Sequence, residues 1–196
     1  MLELYYTVNQ IESGCDEAGR GCLAGPVVAA AVILSKETQI EGLNDSKQLT
    51  PAKRKALVPI IKEQALAYAI AFIDHKRIDE VNILNASFEA MNKAVDLLKT
   101  RPELLLIDGN RFNAHPNIPH ECIIKGDAKF QSIAAASILA KEARDDFMKE
   151  IHEKHPEYGW DSNMGYPTKK HKLAIQAFGL SSFHRKTFNF KIKTDL

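Results

Sequence analysis

Residues 25–34, "GPVVAAAVIL", carry no polar side chain and are rich in small and β-branched types. A run this short and this apolar reads as a strand buried within a sheet. A first strand is expected around 8–16, and its closeness to the second predicts an antiparallel hairpin. "AYAIAFID" (67–74) reads as a third strand. Two further apolar runs follow, "LLLIDGN" and "ECIIKGD". The first delivers Asp108 at its tip and the second ends at Asp127.

Helical signals fill the intervals. Thr50 is placed to cap a helix and Pro51 suits its first position, with Pro59 expected to disturb or end it. Val81, Leu84, Phe88, Met91, Val95 and Leu98 fall on one apolar stripe of one helix, and Pro102 follows its end. "SIAAASILAKEARDDFMKEIHEK" predicts a long helix whose alanines allow close packing against a sheet. A last helix is expected between Thr168 as N-cap and Gly179 as stop. Strands alternating with helices imply an α/β fold with a mixed central sheet.

A chain of 196 residues suits one domain with a proper core. It contains no apolar run of about 18 residues, so no membrane span is expected. "MLELYYTVNQIES" lacks the pattern of a signal peptide. Cys15, Cys22 and Cys122 are odd in number and lack zinc-ligand spacing, which suits free thiols in the cytoplasm. The net charge of +1 is uninformative, but its distribution is not. Beyond Pro167 stand Lys169, Lys170, Lys172, Arg185, Lys186, Lys191 and Lys193, with Asp195 as the acid among them. This is either a solvated basic tail or a phosphate-binding patch.

"GCDEAGRGCLAG" (14–25) sets Asp16 and Glu17 side by side before Gly-Arg-Gly. With Asp108 and Asp127, these acids each follow an apolar run, and ligands gather at the carboxyl ends of strands in open α/β sheets. Carboxylates without histidine or cysteine partners suit Mg²⁺ or Mn²⁺ rather than zinc. Two such ions about 4 Å apart can activate water and stabilise the leaving oxygen of a phosphodiester. Each acid taken alone also suits a turn or a helix start. Successive strand residues point to opposite faces, so Asp16 and Glu17 share a site only if the strand ends or bulges there.

The stretches "DEAGRG", "AGPVVAAAVIL", "NDSKQLT", "IDGN", "KGDAK", "AAASILAK" with "RD", "GYPTKKH" and "FHRKTF" together resemble bacterial ribonuclease HII, the type 2 ribonucleases H. The resemblance runs through almost the whole chain. It implies one ribonuclease H-like catalytic domain over 1–196: a mixed central sheet flanked by helices, with a basic C-terminal helical segment (about 160–196) that closes over substrate. It implies a metal site of Asp16, Glu17, Asp108 and Asp127. It implies cleavage of the RNA strand of RNA–DNA hybrids, and nicking of duplex DNA 5′ of a single embedded ribonucleotide. The products would carry a 3′-hydroxyl and a 5′-phosphate, in ribonucleotide and RNA-primer removal.

By the same resemblance Gly19, Arg20 and Gly21 contact the 2′-hydroxyl, largely through backbone groups. That group is what separates RNA from DNA. Tyr166 packs on the sugar at the ribonucleotide-to-DNA junction, and Lys47, His184 and Arg185 lie near phosphates. Asp145 reads as a structural helix-face acid. Cys22 stands where the family usually has proline, Gln48 replaces a common lysine, and "KEARD" differs from the usual "KVTRD". Type HIII relatives carry lysine at the place of Arg20 and an added N-terminal domain, for which Asp16 lies too near Met1. No oligomerisation signal is seen, so a monomer is expected. Another ribonuclease H-fold nuclease or strand-transfer enzyme acting on DNA, and a non-catalytic nucleic-acid-binding module, are the competing readings.

Overall fold

The computed structural model describes residues 2–44, 46 and 48–189, so Lys47, Lys191 and Lys193 lie outside the described residues. The apolar run forms β2 (Val27–Ile33), in which every residue is buried. It lies in a five-stranded sheet ordered β3-β2-β1-β4-β5. The other strands are β1 (Glu12–Ala18), β3 (Ala67–Ile73), β4 (Leu104–Asp108) and β5 (His120–Ile123). β1 and β2 form the expected antiparallel hairpin, and β3 joins β2 antiparallel. β4 runs parallel to β1, and β5 parallel to β4, so the sheet is mixed.

Strand alternation sends neighbouring residues to opposite layers. Cys15, Ala29 and Ile107 meet the apolar faces of α2 (His75–Val81) and α3 (Ile83–Asp96) on one side. Ala18, Ala30 and Val32 meet α1 (Pro51–Gln64) and α4 (Gln131–Lys154) on the other. The alanines of α4 let it approach very closely. A Cβ at Gly14 would lie 2.2 Å from the main-chain carbon of Ser132, so glycine is required where β1 crosses this helix. A third apolar cluster, with Trp160, Tyr158, Met148 and Ile175, docks α5 (Trp160–Asn163) and α6 (Lys169–Phe178) against α4 and residues 23–24. Thr50 and Thr168 cap α1 and α6 as the sequence predicts.

Four local readings are corrected. β1 begins at Glu12 rather than Val8, because the Glu12 carboxylate accepts hydrogen bonds from the Tyr6 and Thr7 amides and turns the chain ahead of it. α1 runs through Pro59 without ending. Pro59 and Lys55, the residue whose carbonyl loses its helical donor, both lie on the exposed side, where water can serve that carbonyl. The single helix expected from Val81 to Leu98 is two, broken at Asn82 with φ 68°. The Asn82 side chain accepts from the Leu84 and Asn85 amides and caps α3. β5 ends at Ile123, and Asp127 sits on a separate 3₁₀ turn, Gly126–Ala128.

The Gly14 contact yields a direct test. Gly14→Ala sets a methyl against the α4 main chain, which cannot move aside as a side chain can. A loss of about 1–3 kcal/mol is expected, read as a lower urea midpoint at unchanged slope.

Candidate active site

β1 and β4 are parallel neighbours paired through Cys15 and Ile107. The next residue on each strand is an aspartate, so register alone brings Asp16 and Asp108 together. Asp108 then ties down the third acid: its Oδ1 accepts from the Gly126 amide at 2.7 Å, holding the turn that carries Asp127. Lys125 enters that turn in the left-handed region, φ 56°, a strained conformation that the surrounding contacts must hold. Ligand oxygens of Asp16, Asp108 and Asp127 all lie within 4.8 Å of one another.

Burial holds the Asp16 carboxyl well above the usual carboxylate range, and the charges of Glu17 and Asp108 push it further the same way. Such a group takes up a proton unless a cation neutralises the cluster. Oxygen donors without nitrogen or sulfur fit a hard divalent cation. Glu17 stands differently. The pairing of Asp16 with Ala30 and of Glu17 with Ala29 is unbroken, so the strand neither ends nor bulges between them. Glu17 lies outside the three-acid group and receives a hydrogen bond from Arg20 Nη1 at 3.0 Å. It nevertheless lines the same cleft.

That cleft has a volume of about 340 Å³ and is walled by Asp16, Glu17, Asp108, residues 18–21 and Tyr166, with Ser46, Ser137 and Lys141 between them. The two glycines of Gly-Arg-Gly differ. Gly19 has φ 98°, and a Cβ there would sit 2.1 Å from Arg144 Nε. A Cβ at Gly21 would meet nothing within 4 Å, so packing within the protein does not demand a glycine there.

Arg185 and His184, which the resemblance sets near phosphates, turn inward in this structure. Both are buried. Arg185 donates to the carbonyls of Gly19, Arg20, Gly25 and Pro26. Burial lowers its guanidinium to about 10, which leaves it charged at neutral pH. Arg144 mirrors it from α4, donating to the carbonyls of Ala24, Pro26 and Met164. Cys22 is buried beneath this loop beside the Tyr166 hydroxyl. Burial raises its thiol, against the pull of Arg144 and Arg185. A thiol thus fills a closed space at the foot of this loop.

Asp145 is held by Lys141 at 2.5 Å and by Arg54 at 3.7 Å, an ion-pair role on the helix face. Lys141 also stands 5.9 Å from the Tyr166 ring. Lys141, Arg144, Ser46 and Ser137 are site residues that sequence reasoning missed. The spacing of Lys141 and Asp145 was a readable helix-face pair, whereas nothing local marks the serines.

The family model for ribonuclease HII matches residues 13–191. This chain belongs to the ribonuclease HII family. It is 59% identical over 189 residues to ribonuclease HII of Bacteroides thetaiotaomicron, covering 96% of this chain and 94% of the relative. Ribonuclease HII of Bacteroides fragilis is 60% identical over the same span, with the same coverage. The crystal structure of ribonuclease H2 from Pyrococcus horikoshii superposes with a TM-score of 0.74 at 28% identity, over 90% of this chain and 93% of that one. The fold is therefore ribonuclease H-like, and the chain is an endoribonuclease of this family.

The unlike glycines give the next prediction. Gly19→Ala should destabilise the protein, because both its φ and the Arg144 contact oppose a side chain. Gly21→Ala should melt like the parent yet lose cleavage of ribonucleotide-containing duplex. Thermal melts and cleavage of the same preparations decide it; equal behaviour of the two variants contradicts the assignment.

Proposed function

We propose that this member of the ribonuclease HII family is a metal-dependent enzyme that cuts the RNA strand of RNA–DNA hybrids. It also nicks duplex DNA on the 5′ side of a single embedded ribonucleotide, leaving a 3′-hydroxyl and a 5′-phosphate. The observation that carries the reading is one cleft in which Asp16 and Asp108, converging with the buried Asp127, face the Gly-Arg-Gly backbone and Tyr166. Asp16, Asp108 and Asp127 would hold divalent cations, Mg²⁺ or Mn²⁺, with Glu17 completing a second position from the cleft wall. When bound, such ions supply Lewis-acid activation of water and charge stabilisation at the leaving oxygen.

The chain's own residues do the selecting. Arg185 draws the carbonyls of Gly19 and Arg20 inward, which leaves the other side of this backbone to meet a 2′-hydroxyl. Tyr166 is about two-fifths exposed at the cleft edge (39%) and offers its ring to the neighbouring sugar. Specificity then comes from the ribose rather than from base edges. Lys169, Lys170 and Lys186 are exposed and suit contacts to the duplex backbone, which makes affinity salt-sensitive. We take residues 1–196 as one catalytic unit that acts as a monomer in the cytoplasm, serving ribonucleotide removal from DNA and removal of RNA primers.

A DNA duplex with one ribonucleotide, assayed with and without divalent metal, tests this. A single nick 5′ of the ribonucleotide is expected, abolished by chelator. Asp108→Asn should lower the rate by at least about 10²-fold, as loss of a key charge-stabilising group does. Tyr166→Ala should weaken single-ribonucleotide cleavage while metal binding persists. Equal cutting of all-DNA duplex would point to a general nuclease, and binding without cleavage to a non-catalytic module.

A further inference from the structure

His171 and His184 are fully buried and side by side, with their Nε2 atoms 3.2 Å apart. Their partners define every proton. The Ser181 amide donates to His184 Nδ1 at 2.9 Å. Ser181 Oγ lies 2.8 Å from the same atom and is itself an acceptor for the Phe183 amide. His184 Nδ1 is therefore an acceptor, and a neutral ring must carry its hydrogen on Nε2. At the other end, His171 Nδ1 lies 2.9 Å from the Tyr166 carbonyl, which can only accept. His171 thus has its hydrogen on Nδ1, and its Nε2 accepts from His184 and from Trp160 Nε1 at 3.0 Å.

The result is a directed line of hydrogen bonds: Ser181 to His184, His184 to His171, His171 to the carbonyl of Tyr166. Adding a proton to either ring would set donor against donor, at Ser181 in one case and at Trp160 in the other. Tyr166 is also placed by its own turn, its amide donating to the Asn163 carbonyl and its carbonyl accepting from Thr168, and by Arg144 and the Leu23 amide, which hold the carbonyls of Met164 and Gly165 just ahead of it. The imidazole line joins that turn to the 181–185 segment through side chains, beside the main-chain link through Leu23.

We propose that the His171–His184 pair is a positioning device for Tyr166, fixing through neutral, oppositely protonated rings where the tyrosine stands at the cleft. This rests on the proposed role of Tyr166 at the ribonucleotide. Both rings act through the Tyr166 main chain, without reaching substrate. The arrangement also gives His184, expected at a phosphate, a use that its burial permits.

The titratable groups facing the pair are His155 and Tyr158 ahead of α5, and His75 at the start of α2. Burial lowers His171, and burial with the neighbouring His171 lowers His184 to about 4. The unfolded chain would take up protons first, near the ordinary histidine value of about 6.5. Stability from the pair is therefore complete above that value and lost as pH falls towards 4.

Nitrogen-15 NMR of the histidine rings in the intact protein reads the pair directly and needs no variant. At neutral pH, His171 should appear as the Nδ1–H tautomer and His184 as the Nε2–H tautomer. The reverse tautomer in either ring, or a charged ring, overturns the proposal.

Variants then read the consequence. His171→Asn keeps an amide donor near the place of Nδ1 and should cleave within about threefold of the parent. His171→Phe removes it and should slow the single-ribonucleotide duplex by about 10- to 100-fold, the scale of a misplaced reacting group. The ratio of that rate to the rate on an all-RNA strand hybrid should fall as well. General damage to the fold would lower both rates alike, so an unmoved ratio in a cooperatively melting His171→Phe protein, or equal effects of the two variants, overturns the positioning role. A parent protein that makes no nick overturns the functional reading instead, whatever the tautomers show.

Discussion

Two buried guanidinium groups hold the loop on which the rest of the site depends. Arg144 reaches from α4 and Arg185 from the chain after α6, and both donate to main-chain carbonyls of residues 19–26. A buried charge is costly unless its donors are satisfied, and here a ring of carbonyl dipoles serves that purpose. The same bonds decide which way the Gly19–Arg20 backbone faces. Arg144 also holds the carbonyl of Met164, two residues before Tyr166. Loop, tyrosine turn and C-terminal segment are therefore organised from one pair of cations beneath the surface.

The acid cluster depends on different physics. Parallel register brings Asp16 and Asp108 together, and a single hydrogen bond from Gly126 to Asp108 adds the turn bearing Asp127. Without a cation these oxygens repel, and Asp16 is held well above its ordinary ionisation range by its burial first and by the charges of Glu17 and Asp108 after it. The strain at Lys125 belongs to the same arrangement.

Much of the fold was legible because it follows from local rules. The antiparallel β1–β2 hairpin, the Thr50 and Thr168 caps and the alanine face of α4 all stand where composition and spacing place them. The misreadings have local causes too. Pro59 is tolerated because its orphaned carbonyl faces water. Asn82 interrupts the helix beneath a continuous apolar stripe, its backbone at φ 68° and its side chain capping the next helix. Asp127 looked like the end of a strand because nothing in "ECIIKGD" announces that β5 stops at Ile123.

By itself, the sequence marked candidates for the chemistry: the acids by their places after apolar runs, and the Gly-Arg-Gly loop and Tyr166 through the family resemblance. It also determined the alternation of strands and helices, since periodicity is a property of neighbours in the chain. Only the tertiary structure decided which acids converge, that Glu17 stands apart from the other three, and that Arg185 and His184 point inward. A cationic side chain near a phosphate-binding motif reads the same whether it faces solvent or a ring of carbonyls. The difference lies in contacts spanning more than 150 residues, such as Arg185 to Gly19, and these exist only once the chain has closed on itself.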